Sequence, residues 1–138
     1  MLMPTQLPMP LVVVKPYKIG KIMKSDPTIF DKIINREIPA EIVFENEHVL
    51  AFKDINPQAP VHVLFIPKIR INTINDIKDD QGHIIGELFL AARNYAKQIG
   101  EDEDGYRVIM NCNDNGQQTV FHIHLHFLAG RQLEWPPG

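Results

Sequence analysis

A chain of 138 residues with 44% hydrophobic and 22% charged side chains is long enough for one domain with its own core and too short for two comfortable ones. Its formal charge of −3 argues against a surface given over to gripping nucleic acid, and no uninterrupted apolar run approaches the ~20 residues of a membrane-spanning helix. The single cysteine, Cys112, cannot close an internal disulfide, so a reducing compartment is expected, the cytoplasm first and the nucleus also open to it.

Residues 1–25 carry Pro4, Pro8, Pro10 and Pro16 and four lysines without an acidic residue, which predicts a flexible N-terminal extension ahead of a domain spanning 26–138. Asp26 is the expected cap of a short helix, with Pro27 at its first position, Ile29, Phe30, Ile33 and Ile34 on one apolar face and an end near Arg36. IVFE and HVLAFKD read as a hairpin about Asn46-Glu47, and VHVLFIP as a strand stopped by Pro67. From Asp79 or Asp80 a long helix repeats Ile84, Ile85, Leu88, Ala91, Ala92, Tyr95 and Ile99 at intervals of three and four, with Gly100 as its stop. YRVIMNC, holding Cys112 as a small strand residue, and TVFHIHLHFLA follow as strands joined by NDNGQQ. This order predicts an α+β fold: a single, largely antiparallel five-stranded sheet with one short N-terminal and one long central helix, both on the same face.

Within FHIHLHF the period of two makes a strand the expected conformation, with His122, His124 and His126 on one face and Phe121, Ile123, Leu125 and Phe127 packed toward the helices on the other. Three aligned imidazoles, with His62 on a strand that could pair nearby, form a functional cluster, whereas His48 and His83 lack such company and belong on the surface. Metal binding is the weaker expectation, because on a regular strand the first and third histidines are about 13 Å apart at Cα and no carboxylate adjoins the run. A hydrolase built on the Cys112 thiol is weaker still, for want of a positive neighbour. Nucleophilic attack by the central His124 on an electrophilic phosphorus fits better, with its neighbours handling protons and charge. NDNGQQT, just upstream, offers donors for phosphate oxygens.

Taken together, NGQQTVFHIHLHFLAGRQLEWPPG, TIFDKIINREIPA, FKDINPQAPVHVLFIPK and GYRVIMN make the chain from Pro27 to Gly138 resemble the histidine-triad (HIT) superfamily. The His-x-His-x-His pattern carries the superfamily, and the ending GRQxxWPPG resembles its Hint branch of purine nucleoside phosphoramidases. The resemblance implies hydrolysis of the P–N bond of adenosine or guanosine 5′-phosphoramidates, with His124 forming a covalent nucleotidyl intermediate and no cofactor or metal. His122 is then expected to orient His124, with His62 behind it, and His126 to contact the phosphate and help protonate the leaving amine. Asp54 corresponds to a ribose-binding carboxylate; Ile29, Phe30, Ile33, Phe52 and Ile55 to an apolar purine slot; Asn111, Gln117, Gln118 and Thr119 to the phosphate side. A homodimer is implied, with the C-terminal loop and Trp135 near a partner's site. A nucleotide-binding adaptor with residual hydrolysis is the alternative, and a zinc-binding protein a more distant one.

Several positions depart from the branch pattern. Gln117 stands where a second glycine is usual, which puts in doubt the positive φ available to the backbone there. Thr119 replaces a serine, Phe121 a tyrosine, and Arg70 and Glu134 each replace a frequent histidine.

Overall fold

The computed structural model describes residues 26–138; the predicted N-terminal extension lies outside them. Five antiparallel strands form one sheet: β1 (Ile42–Glu45), β2 (Val49–Lys53), β3 (Val61–Pro67), β4 (Tyr106–Ile109) and β5 (Leu125–Ala129), in the order β1-β2-β3-β5-β4. The predicted hairpin is present. Asn46 Oδ1 accepts the backbone N–H groups of His48 and Val49 at 2.9 and 2.8 Å, which pins the reversal between β1 and β2. The chain leaves β3, passes through the long helix α2 (Gly82–Ile99), runs up the edge as β4 and returns as β5 between β4 and β3.

Alternation along β2, β3 and β5 divides the side chains between two cores. Val49, Ala51, Val63, Phe65, Leu125, Phe127 and Ala129 pack with Leu88, Ala91, Ala92, Tyr95 and Ala96 of α2. Their neighbours Leu50, Phe52, Leu64 and Ile66 pack on the opposite face against Phe30 and Ile33 of the short helix α1 (Ile29–Ile34). The helices therefore lie on opposite faces, which corrects the one-sided packing expected from the sequence. An amphipathic face says that a helix is covered without saying which surface covers it.

Boundaries also move. Thr28, not Asp26, caps α1: its hydroxyl accepts from Phe30 N and Asp31 N, while Asp31 Oδ2 accepts from Thr28 N at 2.8 Å, a reciprocal capping box. A 3-10 turn at Asp79–Gln81 precedes α2, and Gly100 closes it at φ +75°, the left-handed stop expected there. The last two strands are shorter than predicted, so Cys112 lies beyond the end of β4, in irregular chain just before a turn.

Candidate active site

Only His126 of the three spaced histidines lies within a regular strand. His122 and His124 precede β5 in irregular chain, and their rings come close to the rim of α1: the Phe30 ring meets His124 edge-on at 5.0 Å and His122 at 5.9 Å. Leu125 and Phe127 enter the α2 core as expected and Ile123 is buried, but Phe121 is only half-buried. An uninterrupted ladder is not what aligns the imidazoles. Each ring is instead held by a hydrogen bond whose partner fixes its tautomer.

His124 Nδ1 lies 2.8 Å from the carbonyl oxygen of His122, an acceptor only, so Nδ1 carries the proton and Nε2 keeps its lone pair. Burial above all, with the adjacent His126 ring, holds the His124 pKa near 3, so that lone pair is available at neutral pH. His62 is fixed from the other side: the backbone N–H of Gln58 donates to its Nδ1 at 3.0 Å, leaving the proton on Nε2. That Nε2–H points at His126 Nδ1, 2.9 Å away, and lies 3.4 Å from Asp54 Oδ2. His126 Nδ1 therefore accepts, and its Nε2 carries a proton that it can give. Burial pushes the His126 pKa down to about 4 and lowers that of His62 as well, in spite of the Asp54 carboxylate.

A bare nucleophilic nitrogen on His124 thus sits beside a proton-bearing His126, ring centroids 5.0 Å apart. One expected relation changes: His62 stands behind His126 rather than behind His122. His122 orients His124 through its backbone carbonyl. The His122 ring is itself buried, with Nε2 2.8 Å from the Pro67 carbonyl.

Among the described residues one group of donors could be considered for a metal: Asp54, His62 and His126, their ligating atoms within 4.8 Å of one another. A carboxylate does therefore adjoin the histidine run in space, although none does in sequence. The donors do not fit an ion as they stand. His62 Nε2 carries the proton that Gln58 imposes and spends it on His126, so the facing nitrogens of His62 and His126 do not offer two free lone pairs.

The remaining expected site residues divide. Phe30, Ile33 and Phe52 are buried in the α1 core, Ile29 is half-buried against it, and Ile55 is 76% exposed. Asp54 Oδ1 accepts from Asn56 N at 2.8 Å and the carboxylate remains partly open. Asn111 is half-buried and Thr119 exposed. Gln117 adopts φ +63° without being glycine, so the doubted backbone geometry is present; its N–H bonds the Asp114 carbonyl within the turn. Gln118 is a brace rather than a ligand group. Its amide nitrogen donates to the carbonyls of Asn72 and Val120, and its oxygen accepts from Asn113 N, leaving the side chain without a free donor. Trp135 is 80% exposed with the Arg107 guanidinium 5.9 Å above its ring. The backbone partners Pro67 and Gln58 escaped sequence reading because main-chain hydrogen bonds between distant segments leave no signature. Asp31 left one: Thr28-x-x-Asp31 is a capping-box spacing.

A proton-free imidazole nitrogen held beside a proton-bearing one at the start of β5 defines a site suited to nucleophilic transfer and hydrolysis at phosphorus. The HIT domain family matches residues 35–133, and the chain belongs to that family. It is 52% identical over 118 residues to the "14 kDa zinc-binding protein" of Zea mays, covering 84% of this chain and 91% of that one. It is 50% identical over 109 residues to the purine nucleoside phosphoramidase of Escherichia coli K12, covering 79% and 92%. Among solved structures, a HIT family hydrolase from Legionella pneumophila matches with TM-score 0.79 and 50% identity, over 81% of this chain and all of that one.

Proposed function

We propose that the chain is a purine nucleoside phosphoramidase, hydrolysing the P–N bond of adenosine or guanosine 5′-phosphoramidates. The observation that carries this reading is the tautomer pair: Nε2 of His124 without a proton, Nε2 of His126 with one. In the first step His124 Nε2 attacks the α-phosphorus, the P–N bond breaks, and the departing nitrogen takes the His126 Nε2 proton; the negative charge left on the His126 ring is balanced by the positive charge on the His124 ring and held by the His62 Nε2–H that faces its Nδ1. His126, now lacking that proton, accepts one from a water that attacks the nucleotidyl-histidine, releasing the nucleoside monophosphate and restoring both rings. The His122 carbonyl keeps Nδ1–H of His124 in place throughout, and it faces the positive charge that the ring acquires when Nε2 is bonded to phosphorus. Asp54 is assigned to the ribose, and Ile29 and Ile55 to the accessible side of the purine slot. The name of the Escherichia coli relative, purine nucleoside phosphoramidase, supports the substrate class.

The test is amine release from an adenosine 5′-phosphoramidate. His124→Asn is expected to lose at least about a thousandfold in kcat/KM, while prolonged chelation leaves the native rate unchanged. Activity lost on chelation would favour a metal enzyme, and nucleotide binding without turnover by the native chain would favour an adaptor.

A further inference from the structure

We infer that the Asp31–Arg70 ion pair is a positioning device that sets whether the buried His122 ring holds one proton or two. The inference deepens the proposed reading of His124 as nucleophile and rests on it for its consequence, though not for its geometry. His122 is fully buried, and the Pro67 carbonyl at 2.8 Å obliges Nε2 to carry the proton of the neutral ring. Nδ1 is left with a lone pair and, among the described residues, is the one buried side-chain polar atom without a hydrogen-bond partner. The group facing it is Asp31 Oδ1, 3.8 Å away.

Two acceptors facing each other across that gap are unfavourable, and a second proton on His122 would turn the contact into a charge-assisted hydrogen bond after a small closure. Asp31 cannot turn aside. Its Oδ2 accepts from Thr28 N at 2.8 Å and from Arg70 Nη1 at 3.0 Å, which leaves Oδ1 aimed at the ring. Arg70 in turn is tied to the histidine segment, its Nε donating to the Phe121 carbonyl at 3.2 Å and to Asn72 Oδ1 at 2.8 Å. The charged and titratable groups facing His122 are thus Asp31 from α1, Arg70 from the segment after β3, and His124 from its own stretch; the end of β3 gives only a carbonyl. Burial above all, and Arg70, oppose a charged ring, whereas the Pro67 carbonyl and Asp31 favour it.

The balance bears on His124, because a second proton on His122 would place a like charge beside the ring that must attack. Arg70, by drawing on the Asp31 charge, keeps His122 neutral and the nucleophile active further into acid. The two halves of one ion pair should therefore act in opposite directions. A merely structural contact would instead make both losses alike.

Imidazole NMR titration of His122, from pH 8 to pH 4, tests this in the full chain. Arg70→Gln is expected to raise the midpoint into that range, at least about tenfold in proton affinity above Asp31→Asn, with Arg70→Lys close to the native chain. The acid limb of kcat/KM should move the same way. Equal midpoints, the reverse order, or a ring that stays neutral to pH 4 in Arg70→Gln would overturn the inference. If His124→Asn kept full turnover, the nucleophile reading would fail while the His122 midpoints still decided this one.

Discussion

Four histidines buried or half-buried in one domain are an unusual load, because each must stay neutral where an unfolded chain would let it charge. Burial is the leading cause in every case, holding His124 near pKa 3 and His126 near 4 and lowering His62 and His122. Their folded pKa values lie below the ordinary 6.5, so the unfolded state takes up protons first as pH falls. The stability they allow is complete above about pH 6.5 and is lost progressively below it, at up to about 1.4 kcal/mol per pH unit for each histidine. Urea midpoints measured from pH 7.5 to 5.0, above the range where most carboxylates titrate, should fall steeply once pH passes 6.5. A flat profile down to pH 5.0 would mean that the rings are not buried neutral. At this scale the sequence was informative about which residues matter and silent about how they are held. The spacing of His122, His124 and His126 marked the cluster, but their tautomers depend on carbonyls and N–H groups of Pro67, Gln58 and His122 itself.

Among the elements, the turn 113–117 between β4 and β5 shows two neighbouring residues under opposite constraints. Gln117 sits at φ +63° with its side chain exposed, a conformation that costs a non-glycine residue roughly 1 kcal/mol. Gln117→Gly should then stabilise the domain by about 0.5 kcal/mol, once the greater freedom of glycine in the unfolded chain is subtracted. Gly116 is the reverse case, since a Cβ there would stand 2.7 Å from the Cys112 carbonyl oxygen, and Gly116→Ala should destabilise by about 1–3 kcal/mol. Denaturant titration of both variants checks the pair, and a Gln117→Gly protein less stable than the native one would contradict it. The period of two in FHIHLHF foretold the alternation of faces but overstated the strand. Regular pairing begins only at Leu125, because β3 ends at Pro67 and the chain before β5 bends to bring His122 beneath that carbonyl.

For the whole molecule, the five-stranded antiparallel sheet and the division between a short and a long helix were legible from periodicity and turn residues. The two-sided packing was not, since it depends on which face of β2 and β3 receives Phe30 and Ile33. The outer surface carries its own signal. Phe89 and Leu90 on α2 are 48% and 45% exposed, and Tyr106 on the edge strand β4 is 37% exposed, beside a row of backbone groups open to another strand. We propose that a second copy of the chain covers this side. Sedimentation equilibrium should give twice the chain mass, and Phe89→Glu should return it to one; a native monomer at micromolar concentration would refute the pairing.

All the chemistry assigned to this domain depends on one bond, between His124 Nε2 and the phosphorus of the nucleotide. Rapid quenching of the native chain with an adenosine 5′-phosphoramidate, followed by peptide mass spectrometry, should find a nucleoside monophosphate on His124 and on no other residue. Turnover with no adduct in the burst phase, or an adduct carried by His122 or His126, would contradict it.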